Sequence, residues 1–393
     1  MKKLLFVDDD AMVLAGLRRA LHDMRGEWQV AFAPGGEAAL DAMEKDSFDA
    51  VISDMRMPAM DGAELLERIK DRHPEVIRIV LSGQSEKEAM LRSIIPAHQY
   101  LAKPCDIRDL KVRLGQAFAA RDLVRDPAVA AAIARLRSVP SLPAIYCELT
   151  AALRSETTSL AQIESIVARD PGMAAKILQL ANSAFIGAHG QVFSLRQAVS
   201  LIGLDTVRTL ALTIHVFSRF GGTAAIAAQV MALWEHSVRV AALAQRIAAA
   251  ECGQKAMAEE CFAAGLLHDL GKVILIGERA REYADIRKRI EAAAIVDIEE
   301  LETEYLGCSH AQLGAYLMSI WGLPSSLVHA VAFHHRPAQA IESQFSALTA
   351  VHCADVLAHE TRSGVPQIAA DLEYLAKLNM ADRMEKWRKL IEE

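Results

Sequence analysis

Val51-Ile52-Ser53-Asp54-Met55-Arg56-Met57-Pro58-Ala59-Met60-Asp61-Gly62 reads as a buried strand that runs out into a turn. The short apolar run before Asp54 suits a strand, and Pro58 with Asp61-Gly62 marks the turn. Asp54 thus stands at a strand's carboxyl end, where parallel α/β sheets bind their ligands. Lys3 to Val7 is a second apolar run, and it ends in Asp8-Asp9-Asp10. Carboxylates gathered at one mouth repel one another unless a cation sits among them; magnesium suits hard oxygen ligands and leaves positions open to water. Ile77 to Leu81 runs into Ser82-Gly83, and Tyr100-Leu101-Ala102 into Lys103-Pro104. A hydroxyl and an ammonium are brought to the same edge, where both can hold phosphoryl oxygens.

Helical spacing over Ala11 to Leu21, Glu37 to Lys45, Ala63 to Asp71 and Lys87 to Ser93 alternates with strand-like runs at Lys3 to Val7, Gln29 to Ala33, Asp49 to Ser53, Val76 to Leu81 and Gln99 to Ala102. This predicts an α/β, doubly wound, five-stranded parallel sheet, closed by a helix from near Asp106 towards Val124.

On these positions residues 1–120 resemble the receiver domain of two-component response regulators. The resemblance implies that Asp8 and Asp9 are the acidic pair and that Asp54 takes a phosphoryl group from the phosphohistidine of a sensor histidine kinase. Ser82 is then the switch hydroxyl, Tyr100 the switch aromatic and Lys103 the lysine that pairs with the acyl phosphate. It also implies Mg2+ held by Asp9, Asp54 and the backbone carbonyl of Arg56, with Asp8 in the same acidic pocket.

Beyond Asp126 the strand patterns stop. Pro127 and Pro140-Ser141-Leu142-Pro143 punctuate helices, so 121–139 reads as a helical linker. Turns at Asp170-Pro171-Gly172, Gly187 to Gly190, Gly221-Gly222, Gly307 and Gly322 to Pro324 divide an all-α domain over 140–342, with further helices over 343–393 packed on it. Most histidines fall within 225–360: His236, His268-Asp269, His310 and His334-His335, followed by Asp355. Side chains adjacent in a helix diverge by about 100°, so His268 and Asp269 can line a metal pocket from one wall. Imidazole and carboxylate suit Fe, Mn or Zn, and two such ions can activate a water and clamp a phosphate for in-line hydrolysis. The competing reading makes His236, beside Trp234, a hydrogen-bonded core histidine. His329, His352 and His359 read as core or surface groups, with His352 one turn before Asp355 and able to support the pocket. A buried Asp355 needs a partner in any reading.

This series resembles the HD superfamily of metal-dependent phosphohydrolases. By that likeness His236, His268, Asp269 and Asp355 are core metal ligands, His310, His334 and His335 are the added ligands of the dinuclear branch, and Lys272 is a substrate or phosphate contact. Leu142-Pro143, Asp170-Pro171, Leu180-Ala181-Asn182-Ser183, Leu233-Trp234-Glu235-His236-Ser237, Gly307-Cys308-Ser309-His310 and Trp321-Gly322-Leu323-Pro324 narrow the resemblance to the HD-related output domain, HDOD. It implies a signalling or interaction output that contacts second-messenger enzymes or other signalling proteins, in a homodimer linked to phosphorylation. The alternative is a phosphorylation-regulated phosphohydrolase acting on a cyclic dinucleotide or other nucleotide. Arg336-Pro337-Ala338-Gln339, after His335, lacks the glycine-tyrosine-proline signature of the HD-GYP phosphodiesterases.

Composition sets outer bounds. A chain of 393 residues divides into two or three domains. A formal net charge of −7 gives no cationic footprint for nucleic acid. The basic residues Arg383, Lys386, Arg388 and Lys389 are interleaved with Glu385, Glu392 and Glu393, so DNA contact is not expected. The 6 cysteines form no CxxC pair, as in a reduced cytoplasmic protein. Met1-Lys2-Lys3 precedes an apolar run too short for a signal peptide, and no run approaches the roughly 18 apolar residues of a spanning helix.

Overall fold

A computed structural model describes residues 1–22, 26–82, 97–103, 106–124, 129, 133, 143–155, 157–183, 190–204, 206–207, 224–292, 297–363 and 369–392. The first part holds strands β1 (Lys2–Val7), β2 (Trp28–Ala33), β3 (Ala50–Asp54), β4 (Ile77–Ser82) and β5 (Gln99–Ala102). They form one parallel 5-stranded sheet in the order β2-β1-β3-β4-β5, as expected. Leu4, Leu5 and Phe6 are successive and all wholly buried. Successive strand residues face opposite ways, so both faces of the sheet are covered, which is why these strands read as unbroken apolar runs.

Helices α1 (Ala11–Ala20), α2 (Gly36–Lys45), α3 (Gly62–Arg72) and α4 (Ile107–Leu123) complete this part. The carboxylates of Asp10, Asp61 and Asp106 accept from the backbone N–H groups of Met12, Glu64 and Arg108, capping α1, α3 and α4. Gly62 is required by space: a Cβ there would lie 2.1 Å from the Asp54 carbonyl oxygen. The helix expected over Lys87 to Ser93 lies outside the described residues. Of the expected linker helix, Val129 and Ile133 are described as helical and buried, and most of the rest lies outside.

The second part is helical throughout its described residues. In order these are α5 (Pro143–Arg154), α6 (Leu160–Val167), α7 (Pro171–Ala181), α8 (Leu195–Ile202), α9 (Ala224–Cys252), α10 (Lys255–Leu267), α11 (Leu270–Glu278), α12 (Ala280–Ala292), α13 (Ile298–Leu306), α14 (His310–Ile320), α15 (Ser325–Phe333), α16 (Ala347–Ser363), α17 (Leu372–Lys377) and α18 (Arg383–Glu392). Helices α9, α10 and α16 pack on one another, and α14 lies against α11 and α15. Among the described residues no helix is long and apolar enough to cross a membrane. On α18 Lys386 and Lys389 are exposed, Arg388 pairs with Glu360 at 3.0 Å, and the buried Trp387 indole donates to Glu251 at 3.1 Å.

The two parts meet along α14, which also packs on α4. The side-chain amide of Gln99 in β5 donates to the Ser319 carbonyl at 2.9 Å, and that of Gln179 in α7 donates to the His98 carbonyl at 2.9 Å; both bonds are buried. Every residue of α7 is buried, and the Lys176 ammonium sits 5.4 Å from the centre of the Trp321 ring. Burial pulls Lys176 down to about 7. Below that pH the folded chain carries the full penalty of a buried charge. Between there and the ordinary lysine range the unfolded chain binds a proton the folded one does not, so stability rises with pH. Lys176→Met is expected to raise Tm near pH 7 by about 2 °C or more and to flatten the rise towards pH 10, measured by thermal unfolding across that range.

Candidate functional site

At the sheet's carboxyl edge, the pairings Val7 with Ser53, Asp54 with Leu81 and Ser82 with Ala102 align the strand ends. Asp8 follows β1, Asp54 closes β3 and Lys103 follows β5. The Lys103 ammonium lies 2.6 Å from Asp54 Oδ1 and 2.8 Å from Asp8 Oδ2. One carboxylate oxygen from each of Asp8, Asp9 and Asp54 lies within 4.8 Å of the others, close enough to share a cation. Burial raises the Asp54 carboxyl above its usual range, and Lys103 offsets part of that rise. Burial also works against the Lys103 charge, but hydrogen bonds to Asp54 and Asp8 together hold it above the ordinary lysine value. Tyr100 is buried in β5, Arg56 lies in the exposed turn after Asp54, and the side chain of Ser82 lies outside the described residues.

The second constellation is assembled from five helix segments. His236 comes from the middle of α9, His268 and Asp269 from the break between α10 and α11, His310 from the first position of α14, His334 and His335 from the end of α15, and Asp355 from α16. Asp269 Oδ2 lies 3.4 Å from His268 Nε2, 4.0 Å from His236 Nε2 and 2.8 Å from the Lys272 ammonium. Its other oxygen is 3.3 Å from His310 Nε2 and 3.8 Å from His334 Nε2. Asp355 Oδ1 is 2.9 Å from His236 Nε2 and 3.8 Å from His268 Nε2. The His310 Nε2 atom is 3.3 Å from that of His334 and 3.1 Å from that of His335. All of the residues singled out in the sequence of this half therefore converge, with Asp269 central.

The outward nitrogens are already committed. His268 Nδ1 donates to the Gly265 carbonyl at 2.7 Å, and His334 Nδ1 donates to the Val331 carbonyl at 2.8 Å. Glu302, buried on α13, accepts from both the backbone N–H of His310 and its Nδ1. Burial, then the neighbouring His268 and His310, hold His334 well below its ordinary value and therefore neutral. With its proton on Nδ1, the His334 Nε2 presents a lone pair to Asp269 and His310. His268 Nε2 and Asp269 Oδ1 are buried without a hydrogen-bond partner. Lone pairs and carboxylate oxygens aimed at one point in a dry interior fit a divalent cation.

Charge within the cluster agrees with that fit at the carboxylates and at His334 and His335, while Asp269 raises His268 above its ordinary value against burial, so that a proton there stands in for a cation. Burial alone would raise the Asp269 carboxyl, but His268 and Lys272 hold it well below its usual range. Asp355 is likewise held low, against burial, by His236. His335 is driven well below its ordinary value by burial and by His334. The ligand types are thus anionic carboxylates and, at His334 and His335, neutral imidazoles.

The sequence reading missed Glu302 and did not place His359 beside Asp355. Glu302 lies eight residues before His310, across the turn at Gly307, and no local period links them. His359 was read as a core or surface group, yet its Nε2 is 3.5 Å from Asp355 Oδ1. Their spacing of one helical turn was the available signal. His352 does support the pocket: its Nδ1 donates to the His334 carbonyl at 2.7 Å, and its Nε2 accepts from the Asp371 backbone.

A model of the HDOD domain matches residues 139–337, and a model of the response regulator receiver domain matches 4–115. An uncharacterized protein of Treponema pallidum (strain Nichols) is 27% identical over 208 residues, 53% of this chain and 40% of that protein. The DNA-binding transcriptional regulator NtrC of Klebsiella pneumoniae is 40% identical over 102 residues, 26% of this chain and 21% of that protein. The chain therefore spans less than half the length of these curated relatives. The solved MmoQ response regulator of Methylococcus capsulatus str. Bath has a TM-score of 0.47 at 20% identity, covering 64% of this chain and 98% of that one.

A Cβ at Gly271 would lie 1.9 Å from the His310 carbonyl oxygen. Gly271→Ala must therefore push α11 off α14 and separate Asp269 from His310. The expected cost is about 1–3 kcal/mol in denaturant unfolding, with weakened binding of divalent metal. Unchanged stability would contradict the close approach of these helices.

Proposed function

This chain belongs to the HDOD family and carries a response regulator receiver domain ahead of its HDOD domain, and from that premise we propose a phosphorylation-controlled regulator whose Asp54 switches an HDOD signalling output through α14. The proposed division is a receiver over 1–120, a linker over 121–139, the HDOD domain over 140–342 and C-terminal helices over 343–393. Asp54 attacks the phosphorus of a sensor histidine kinase's phosphohistidine, the P–N bond breaks, and the phosphoryl group stays on the carboxylate. Asp9, Asp54 and the Arg56 carbonyl, beside Asp8, would hold Mg2+, which would supply positive charge against the added phosphoryl oxygens, while Lys103 moves its pairing to those oxygens. Ser82 and Tyr100 then follow inward.

The observation that carries the coupling is the shared position of Tyr100 and Gln99. Tyr100 is buried in β5, and its neighbour Gln99 is bonded to Ser319 near the end of α14, the helix that begins with His310. A shift of β5 thus acts on the helix that carries a residue of the His/Asp cluster. His236, His268, Asp269 and Asp355 would hold one divalent ion, and Asp269, His310, His334 and His335 a second. Such ions supply Lewis acidity and a water of lowered pKa. Glu302 fixes the His310 ring, and Lys272 keeps a positive charge beside Asp269 for an anionic ligand.

The output read this way is an interaction surface for other signalling proteins, second-messenger enzymes among them, in a cytoplasmic protein that pairs with a second copy when phosphorylated. The complete donor set and Lys272 favour a second reading, a metal-dependent phosphohydrolase of a cyclic dinucleotide or other nucleotide. Metal content separates the possibilities. Near-stoichiometric Fe, Mn or Zn that is lost in His268→Ala, with hydrolysis rising on addition of phosphodonor, assigns the enzyme. Metal without turnover assigns the interaction module, and a metal-free protein removes the metal centre from the proposal.

Phosphodonor is expected to change amide exchange in α14 of the unmodified protein and to leave Asp54→Asn unchanged. Gln99→Ala should still accept phosphate at Asp54 while losing most of the α14 response, because a buried hydrogen bond of roughly 1–3 kcal/mol is removed. An α14 response that persists in Gln99→Ala sinks this route.

A further inference from the structure

His359 faces the same oxygen as His236. Its Nε2 lies 3.5 Å from Asp355 Oδ1, which is itself 2.9 Å from His236 Nε2. The ligand atoms of His236, Asp355 and His359 all lie within 4.8 Å of one another, and the two rings have their centres 4.7 Å apart. Around a six-coordinate ion with bonds of about 2.1 Å, adjacent donors are about 3 Å apart and opposite donors about 4.2 Å. The three side chains fit places around one such ion after small rotations. Position in the helix makes this possible, since residues four apart on α16 share a face.

Exposure separates His236 and His359 from His268, His310 and His334, with His335 also partly exposed at the other end of the cluster. The side chains of His268, His310 and His334 are fully buried, whereas His236 is 10% and His359 21% exposed. His359 therefore stands where the centre approaches solvent. A second set of the same chemistry, with three of its four side chains buried, lies at Asp269, His310, His334 and His335.

We propose that His359 is an additional protein ligand of the divalent ion held by His236 and Asp355, on the solvent side of the centre. The proposal rests on the reading that the cluster binds metal. With His236, His268, Asp269, Asp355 and His359 together, a six-coordinate ion retains a single position for water or a phosphate oxygen. The added imidazole also biases that ion towards borderline first-row metals and away from magnesium. The second ion, with Asp269, His310, His334 and His335, keeps more open positions, so the two ions differ in what they can bind.

The test uses the full chain, stripped of metal and titrated with Mn2+, in unmodified form and as His359→Ala and His359→Gln. Binding is read by calorimetry, and bound imidazoles are counted by pulsed electron paramagnetic resonance. Of the two equivalents bound through imidazole, as distinct from the all-oxygen site at Asp8, Asp9 and Asp54, one is expected to bind about tenfold or more weakly in both variants, with one fewer imidazole on manganese and the other equivalents unchanged. Metal-free thermal unfolding checks that the variants fold, and the imidazole count on the unmodified protein gives a reading that needs no variant. Two tight imidazole-bound equivalents with an unchanged imidazole count in both variants overturn the role of His359 alone. If the unmodified protein binds no Mn2+, Zn2+ or Fe2+ through imidazole, the metal reading of the whole cluster falls, and this proposal falls with it.

Discussion

The constraint on which the output half depends is the commitment of the outward imidazole nitrogens of His268, His310 and His334. His268 and His334 give their Nδ1 protons to carbonyls three residues earlier in their own helices, and His310 gives its proton to Glu302. Once those bonds are made, the inner nitrogen of a neutral ring such as His334 can only accept, whereas His268, raised above its ordinary value by Asp269 against burial, can also hold a proton towards that carboxylate. Accepting groups packed in a dry interior are costly unless something positive stands among them. Lys272 answers part of that need beside Asp269. The ends of α10, α14 and α15 and the middles of α9 and α16 are thus aimed at one place, and the aim has an electrostatic reason.

The receiver half solves the same problem at smaller scale. Asp8 and Asp54 share the Lys103 ammonium, so the pocket is poised between like-charge repulsion and one neutralising partner. The pocket opens at the carboxyl end of the sheet, beside β5, and β5 is bonded to α14 through Gln99. The acidic pocket and the histidine cluster are therefore separated by one strand and one helix.

The first domain was legible because its signals are local. Buried parallel strands write unbroken apolar runs, Asp10, Asp61 and Asp106 announce helix starts, and strand ends collect the charged residues. The histidine cluster was legible as a set of residue types but not as a geometry, since its members come from segments far apart in sequence. What escaped was what only packing reveals. Glu302 meets His310 across a turn, Gly271 lets two helix backbones touch, and Gln99 and Gln179 look like ordinary polar residues until the domains are docked. His359 carried a weak signal, a helical turn from Asp355, that was outweighed by the commonness of histidine in cores.

The bonds described across the domain joint are neutral amides on backbone carbonyls, from Gln99 to Ser319 and from Gln179 to His98. Dissolved salt screens charge pairs beyond about 8 Å at physiological strength, but it has little hold on a buried bond between two dipoles. The joint therefore stays indifferent to osmotic and ionic swings that would loosen a seam of ion pairs. A change in potassium content leaves these bonds intact, and the contact between the two parts is insulated from it.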